Sequence, residues 1–418
     1  MNLLIAKSFL TLNLWVDSVP QNDRNLPSEL INTESVPAFS DALTKDEGEN
    51  FGLLGDFGGL RKKIADQGFN LQMQYKGDFV SNSEGGLERK SGYLSNLDLT
   101  VDADLEKLLS LRGLSLFIYG LGNYGDDPTE FVGDRIGSTN IQANDSFKIY
   151  EFYTKYRWSP EFVVLAGYRD LNADFYSTEA SQHLINSAFG ISPSLSQTAA
   201  NGPSIFPTTA LAATFNLESI EGFYWSNGVF NAIAGNPKHP FGTHLDARGE
   251  DGRLAITEAG VKGKADSSSF KLGLGYWQYS KKIERFDKPS KSSSNRGAYL
   301  LAQRAFSSRL AIFAKLGAAT AEVNSFKSAT EFGLLISNLI DIKKGNDLSL
   351  GFARANTSSE FRSIEKAPTN ESLVELNYSI ELTKDLKIAP DVQYIFQSGV
   401  DRDFEYCLVS GIRLEIKL

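Results

Sequence analysis

Along most of this chain, apolar and polar residues exchange places at every second position. The last eight residues show the pattern plainly: Ile412, Leu414, Ile416 and Leu418 alternate with Gly411, Arg413, Glu415 and Lys417. A β-strand turns successive side chains to opposite faces, so this stretch predicts a strand with one greasy and one charged face. Phe69, Leu71, Met73, Tyr75, Gly77 and Phe79 alternate in the same way with Asn70, Gln72, Gln74, Lys76 and Asp78. That run is long enough to cross a bilayer as a tilted strand. Next, Tyr93, Leu97, Leu99, Val101 and Ala103 face away from Asn96, Asp98, Thr100, Asp102 and Asp104, and Leu114–Leu121 runs back. Second faces this polar are unusual in a soluble sandwich and ordinary where they line an aqueous channel.

Further on, Tyr150, Phe152, Thr154, Tyr156 and Trp158 alternate with Glu151, Tyr153, Lys155 and Arg157, and Phe162–Tyr168 follows. Tyr156 and Trp158 beside Ser159-Pro160 suit an interfacial aromatic girdle at a short turn. Twelve segments are expected from Ala210 onward: Leu211–Asn216, Gly222–Ser226, Val229–Ala234, Arg253–Lys262, Phe270–Ser280, Ala298–Ala305, Leu310–Ala318, Phe332–Leu339, Asp347–Arg354, Ser372–Leu382, Leu386–Phe396 and Phe404–Leu418. Together with the segments before residue 175, the total is about sixteen, an even number that a closed barrel permits. Tight turns such as Phe306–Arg309 and Leu382–Asp385 contrast with long connections such as Lys281–Gly297 and Asn356–Glu371. That is the asymmetry of a barrel with turns on one side of a membrane and loops on the other.

Three stretches do not alternate. Leu60–Gln67 predicts a short helix closed by Gly68. Phe131–Ser146, with Gly133, Gly137, Asn140 and Asn144, reads as a polar loop. Asp174–Thr209 is the longest, with helical spacing at Ala180, Leu184, Ile185 and Ala188. A connection of that length is usually functional or disordered, and in a barrel it is the natural candidate to fold inward and narrow the pore.

Composition narrows the class. The 418 residues contain no run of eighteen apolar positions, so no transmembrane helix is expected. Glycine, phenylalanine and tyrosine are frequent and methionine is rare, which favours strands and turns. A net charge of −9 offers no basic stripe for nucleic acid. With Cys407 as the single cysteine, neither an intrachain disulfide nor a thiolate metal site is available, and Cys407 reads as a small apolar strand residue. Met1–Ser18 fits either a secretory signal peptide or an N-terminal tail, and residues 19–50, with three prolines, a polar linker. Residues 51–418 then form the barrel domain.

An ordered series of segments resembles the OprB-type carbohydrate-selective porins. Gly55-Asp-Phe-Gly-Gly-Leu-Arg61 with Gly68-Phe69 resembles the opening of that family, as does Asp174-Phe175 followed by Leu184-Ile-Asn-Ser-Ala-Phe189. Leu272–Trp277, Asn295–Leu300, Leu310–Gly317, Glu375–Tyr378 and Ile388–Tyr394 look like its later blocks, so the resemblance spans residues 51–418. It implies an all-β, sixteen-stranded transmembrane antiparallel barrel in the outer membrane that passes small sugars by diffusion; no cofactor is expected, and a homotrimer and a monomer both stay open. The chain departs from the family pattern in its weak signal segment, in Leu418 where Phe is more usual, and in Phe396-Gln-Ser-Gly399 where Asn-Pro-Gly tends to follow.

A sugar in a pore needs weak, repeated hydrogen-bond partners and a flat apolar surface, so that it can enter and still leave. Strand parity nominates Asp98, Asp102, Glu151, Lys155, Arg157, Arg169, Asp170, Asp391 and Gln393 for the lumen, with Trp277 as a stacking surface. A register error of one residue would invert the assignment, and each charge is otherwise an ordinary solvated wall residue. Catalysis finds little support. His183, His239 and His244 are the only histidines, no nucleophile elbow or H-E-x-x-H pair occurs, and Ser363-Ile-Glu-Lys366 matches S-x-x-K without companion motifs. The alternatives are a non-selective pore, a plugged structural or adhesive barrel, and a soluble all-β sugar binder, the last separated from the others by dependence on detergent.

Overall fold

The computed structural model describes residues 51–236, 239, 242–243, 251–265, 268–340, 345–397 and 405–418. The segments read as a signal peptide and linker, residues 1–50, lie outside these, as does His244. The strands are β1 (Phe69–Gly85), β2 (Ser91–Asp104), β3 (Leu114–Gly125), β4 (Ser146–Arg157), β5 (Phe162–Arg169), β6 (Ala210–Glu218), β7 (Phe223–Asn231), β8 (Arg253–Ala265), β9 (Ser268–Glu284), β10 (Ser292–Ala305), β11 (Leu310–Ala319), β12 (Phe326–Ser337), β13 (Asn346–Thr357), β14 (Asn370–Thr383), β15 (Leu386–Phe396) and β16 (Tyr406–Lys417). Each pairs antiparallel with its neighbours in sequence, and β16 returns to β1 to close one sixteen-stranded barrel. Closure leaves no unpaired edge, the condition for a sheet to survive in hydrocarbon.

The expected total is met by a different partition. Five strands precede residue 175, and eleven follow Ala210 because Gly222–Ser226 and Val229–Ala234 belong to the single strand β7. The residues between those two segments, Asn227 and Gly228, continue the ladder opposite Thr257 and Ile256. β1 runs past the alternating segment, through the polar residues Ser81–Glu84, to Gly85.

Large apolar side chains that do not face the lumen are exposed all round the barrel, among them Leu71, Phe79, Phe152, Leu274, Leu316, Phe332 and Val392. No water-soluble fold leaves so continuous an apolar surface bare, whereas lipid requires it. Trp158 is 73% exposed and packs edge-on against Tyr156 beside the turn at Ser159-Pro160, as a girdle aromatic should. On the closing strand the alternation works as the sequence implies. Ile412 faces outward, while Arg413 turns into the lumen and grips Asp78 of β1 with two 2.7 Å hydrogen bonds.

At the short-turn end, α1 (Leu60–Asp66) starts after Gly59 and ends at Gln67, with Gly68 in the left-handed region as its stop signal. Arg61 of this helix reaches the carbonyls of Phe51, Gly55 and Leu418, and the Leu53 amide donates to the Lys417 carbonyl. The segment before β1 is thereby tied to the end of β16.

Candidate functional site

Two connections at the long-loop end fold into the barrel. The first, residues 126–145, carries α3 (Thr129–Val132; α2, Leu105–Leu109, caps the β2–β3 turn). Phe131 and Val132 are fully buried, so the stretch read as a polar loop folds inward on an apolar anchor. The second, residues 170–209, contains three 3₁₀ turns and α4 (Pro193–Ser196) and buries Leu171, Phe175, Tyr176, Leu184, Phe189 and Leu195. This is the inward loop expected from its length, although its helical stretch breaks into short turns. Asn186 and Ser192 cap two of those turns with their own side chains, which competes with a longer helix.

Polar side chains of the wall hold the backbone of both loops. Along residues 170–209, Glu258 on β8 accepts from the Tyr176 amide at 2.8 Å, and Gln303 on β10 accepts from the Ala180 amide at 2.8 Å. Lys315 on β11 donates to the carbonyls of Phe189 and Gly190 at 2.6 and 2.9 Å. Glu375 on β14 accepts from the amides of Ile185 and Asn186 at 2.5 and 2.9 Å. The loop leaves the barrel at β5, touches β8 to β14 and returns to β6, so it crosses the lumen. For residues 126–145, Glu371 on β14 accepts from the amides of Arg135 and Ile136, and Asp78 accepts from the Thr139 hydroxyl. These bonds satisfy backbone groups that have no strand partner inside the barrel, the accounting that a buried loop demands.

The two loops are also joined to each other. The Asn140 amide donates to the Ile185 carbonyl at 2.8 Å and the Ser187 amide to the Gly137 carbonyl at 3.0 Å. Gly137 has φ +99°, and a Cβ there would stand 2.9 Å from the Ser187 hydroxyl, so both the turn and the close approach call for glycine. Gln197 donates to the Arg135 carbonyl.

Between the loops, on the long-loop side, lies a cleft of about 650 Å³ lined by Thr129, Asp134, Arg135, Ile136, Gly137, Thr139, Asn140, Gln142, Ser187, Gln197, Phe206 and Glu365. It offers hydroxyls, amides, one guanidinium and two carboxyl groups beside the Phe206 ring. The Arg135 guanidinium lies 4.5 Å above the Phe361 ring, in α5 (Ser359–Arg362). Burial lowers its pKa, while the Glu371 and Glu365 carboxylates raise it. Burial pushes Asp134 up to about 6, although the amide of Gly137 supports its charged form.

None of the ten nominated residues lines this cleft. Glu151, Arg169 and Asp170 come together on the β4–β5 wall. Arg169 pairs with Asp174 at 2.8 Å and lies 4.2 Å over the Tyr153 ring. Asp170 accepts from the Tyr150 hydroxyl at 2.6 Å, and its amide donates to Glu151 at 2.9 Å. Burial pushes the Asp170 carboxyl up to about 6. Asp98 is buried between Lys76, at 3.0 Å, and the Tyr119 hydroxyl, at 2.6 Å. Asp391 and Gln393 lie behind the loops, where Gln393 donates to Asp391 and to the Ser138 carbonyl and accepts from Asn186. Asp102 and Lys155 are half-buried and Arg157 is exposed, towards the short-turn end.

Trp277 requires a correction. It is 1% exposed, packed edge-on to Tyr279 and clustered with Tyr176, Ile191 and Leu195, so neither ring face is open to a sugar. Its parity is right, but the inward loop covers it. Tyr150 departs from the expected alternation. A bulge opposite Tyr119 and Gly120 inserts one residue and turns Tyr150 to the lumen with Glu151, while Ile149 and Phe152 stay outside. Sequence reasoning missed the cleft residues because they stand on loops, where parity has no meaning. The signal available was the apolar pair Phe131-Val132 within a polar segment. Of the histidines, His183 lies 3.5 Å from Asp347 and His239 is exposed. Among the described residues, no group of three or more His, Cys, Asp or Glu side chains is arranged to hold a metal ion.

A family profile described as "Carbohydrate-selective porin, OprB family" matches residues 88–418. The chain is 22% identical to Porin B of Pseudomonas aeruginosa over 414 residues, covering 87% of this chain and 90% of that protein. Among solved structures, the high-pH structure of Pseudomonas putida OprB superposes with a TM-score of 0.80 at 19% identity, covering 88% of this chain and 99% of the other. The low-pH structure of the same protein gives 0.60 at 18% identity over the same shares.

Proposed function

The chain belongs to the OprB family of carbohydrate-selective porins, and from that premise we propose that the cleft between its two inward loops is the place where sugars are sorted. The protein is an outer-membrane channel that lets carbohydrates diffuse passively. The observation that carries it is the composition of the cleft: Arg135, Asn140, Gln142, Gln197, Asp134 and Glu365 converge with the Phe206 ring on one space of about 650 Å³. Donors and acceptors of both kinds beside one aromatic face match the hydroxyl fan and the C–H face of a pyranose, and a neutral monosaccharide such as glucose fits that chemistry. The contacts are few and partly wet, so binding stays weak enough for release.

Asp102, Lys155 and Arg157 line the lumen beyond the constriction in this reading and offer a released sugar further weak contacts. Glu151, Arg169, Asp170, Asp98, Asp391 and Gln393 act indirectly, by holding the wall and loops that shape the aperture. Conduction requires one chain, because both loops and the closed barrel come from the same polypeptide. Assembly as a homotrimer multiplies identical pores, and current steps in threes are its readout.

Single-channel recording in a planar bilayer with added glucose tests this reading. A concentration-dependent fall in current that weakens in Arg135→Ala supports it. Steps indifferent to every sugar mark a general pore, and absence of steps from folded protein marks a plugged barrel.

A further inference from the structure

The outward rim at the long-loop end differs from one side of the barrel to the other. Around β14–β16 and β1–β4 it presents rings: Tyr394 stacked on Tyr406 at 5.5 Å, then Tyr93, Tyr124 and Phe147. Across β9–β13 it presents cations. Lys282 and Arg296 are exposed on the outward sides of β9 and β10, Lys327 is exposed at the β12 bulge beside Ser328, and Arg354 is exposed on β13. These strands are consecutive in the sheet. At about 5 Å between neighbours, the patch spans roughly 20 Å.

Among the described residues, none of the four forms an ion pair with a carboxylate. Arg285, in the loop above, does so with Asp287 and Glu322. Arg354 is oriented: its Nε donates to Asn356 at 3.1 Å and Asn356 donates to the Ser328 hydroxyl at 3.1 Å. That leaves its two terminal nitrogens without a protein partner among the described residues. Four cations without an ion pair, on the outward face of neighbouring strands in a chain of net charge −9, call for an anion from outside. Further along the same outward faces, towards the membrane centre, lie the exposed apolar side chains Leu274, Leu300, Leu316, Phe332 and Leu350.

We infer that this face binds the phosphate-bearing headgroup of an acylated glycolipid in the outer leaflet, with its acyl chains against the apolar residues below. Arginine and lysine suit phosphate, arginine through paired N–H donors. Continuity with the lipid-facing belt favours a lipid over free phosphate. The inference rests on the barrel's orientation with its long loops outward, and not on the sugar site.

The test uses the full chain in detergent and, as probe, a bis-phosphorylated acylated disaccharide (lipid A), with bound lipid per barrel read by native mass spectrometry. The expected result is retention by the wild type and at least a tenfold weaker affinity in the combined variant Lys282→Gln, Arg296→Gln, Lys327→Gln, Arg354→Gln. Dephosphorylated lipid should bind the wild type as weakly. The double variant Arg296→Gln, Arg354→Gln gives an intermediate loss should the fourfold variant not fold, and glucose block of the current should be unchanged in both. Equal retention by wild type and variants overturns the inference, as does equal binding of the dephosphorylated lipid. Displacement by millimolar inorganic phosphate assigns the patch to a free anion and also overturns it. A change of oligomeric state with lipid retention intact assigns the face to contact between copies, with the same consequence.

Discussion

The barrel wall and the inward loops carry the same kinds of side chain, with opposite consequences. On the wall, Glu258, Glu375 and Lys315 are fully buried and each bonds loop backbone, Glu258 while also accepting from the Tyr224 and Tyr299 hydroxyls. On the loops, Arg135, Asn140, Gln142 and Gln197 face open space in the cleft. Glu258, Glu375 and Lys315 are therefore fixtures that shape the aperture. In the proposed reading, the polar groups on the loops are what a passing sugar meets. The difference follows from geometry. The wall is a rigid ladder that can hold a side chain in place, whereas a crossing loop must have its unpaired amides and carbonyls satisfied from outside.

The largest effect should come from breaking a fixture. In Glu375→Leu the amides of Ile185 and Asn186 lose their acceptor inside the barrel. Leaving buried donors unsatisfied costs about 1–3 kcal/mol for each, more than a short loop segment can absorb in place. The expected outcome is a loosened loop, a larger single-channel conductance and loss of glucose block, read in the same bilayer recording. Glu375→Gln keeps one acceptor and should fall between. Unchanged conductance in Glu375→Leu would show that the apolar anchors and the bonds from Glu258, Gln303 and Lys315 hold the loop without Glu375.

That asymmetry also explains what could be read from the chain. The strands were legible because lipid and water impose a period of two on every span, so the number of strands and the lumen position of Arg413 and Asp98 follow from alternation. The bulge at Tyr150 was not, because Tyr150, Glu151, Phe152 and Tyr153 keep an alternation that reads as unbroken and leaves no trace of an inserted residue. The burial of Trp277 could not be seen either. Parity says which face a residue takes, and only the path of residues 170–209 decides what covers it. The cleft is the extreme case: Arg135 and Gln197 are brought together by two loops 62 residues apart in sequence, joined by one hydrogen bond from the Gln197 side chain to the Arg135 carbonyl.

Removing a lining group should act on the sugar and spare the aperture. Arg135→Ala deletes the guanidinium above Phe361 but keeps the Arg135 amide that Glu371 holds. Loss of one charge-assisted hydrogen bond, about 1.4 kcal/mol, raises the glucose concentration for half-block about tenfold. Conductance without sugar should change little. A variant that altered both equally would place Arg135 among the fixtures.

A smaller effect should follow pH. Because burial holds Asp134 uncharged up to about pH 6, the cleft gains a negative charge as pH rises from about 5 to 7, and the reversal potential in a salt gradient should move towards cations. The shift should be smaller in Asp134→Asn. The sign for stability is the reverse of that of an ion-paired carboxylate. With the folded pKa above the ordinary value of about 3.9, this group's contribution is full below about pH 4 and lost as pH passes about 6.

The smallest effect on transport should come from Trp277, and it separates burial from parity most sharply. The side chain lies in a cluster with Tyr279, Tyr176 and Leu195, and the Gly297 backbone lies against its ring. Trp277→Leu removes ring volume from a packed site, which by analogy with large-to-small core changes costs about 2 kcal/mol. The heat-dependent gel shift of the folded barrel should therefore begin at a lower temperature. Glucose block should match the wild type, because no atom of the ring reaches the cleft. Had the ring been a stacking surface, its loss would weaken block at least as much as the loss of Arg135 does. Equal block in Trp277→Leu beside weakened block in Arg135→Ala would show, within one recording series, that the loops select the sugar and the wall sets the frame.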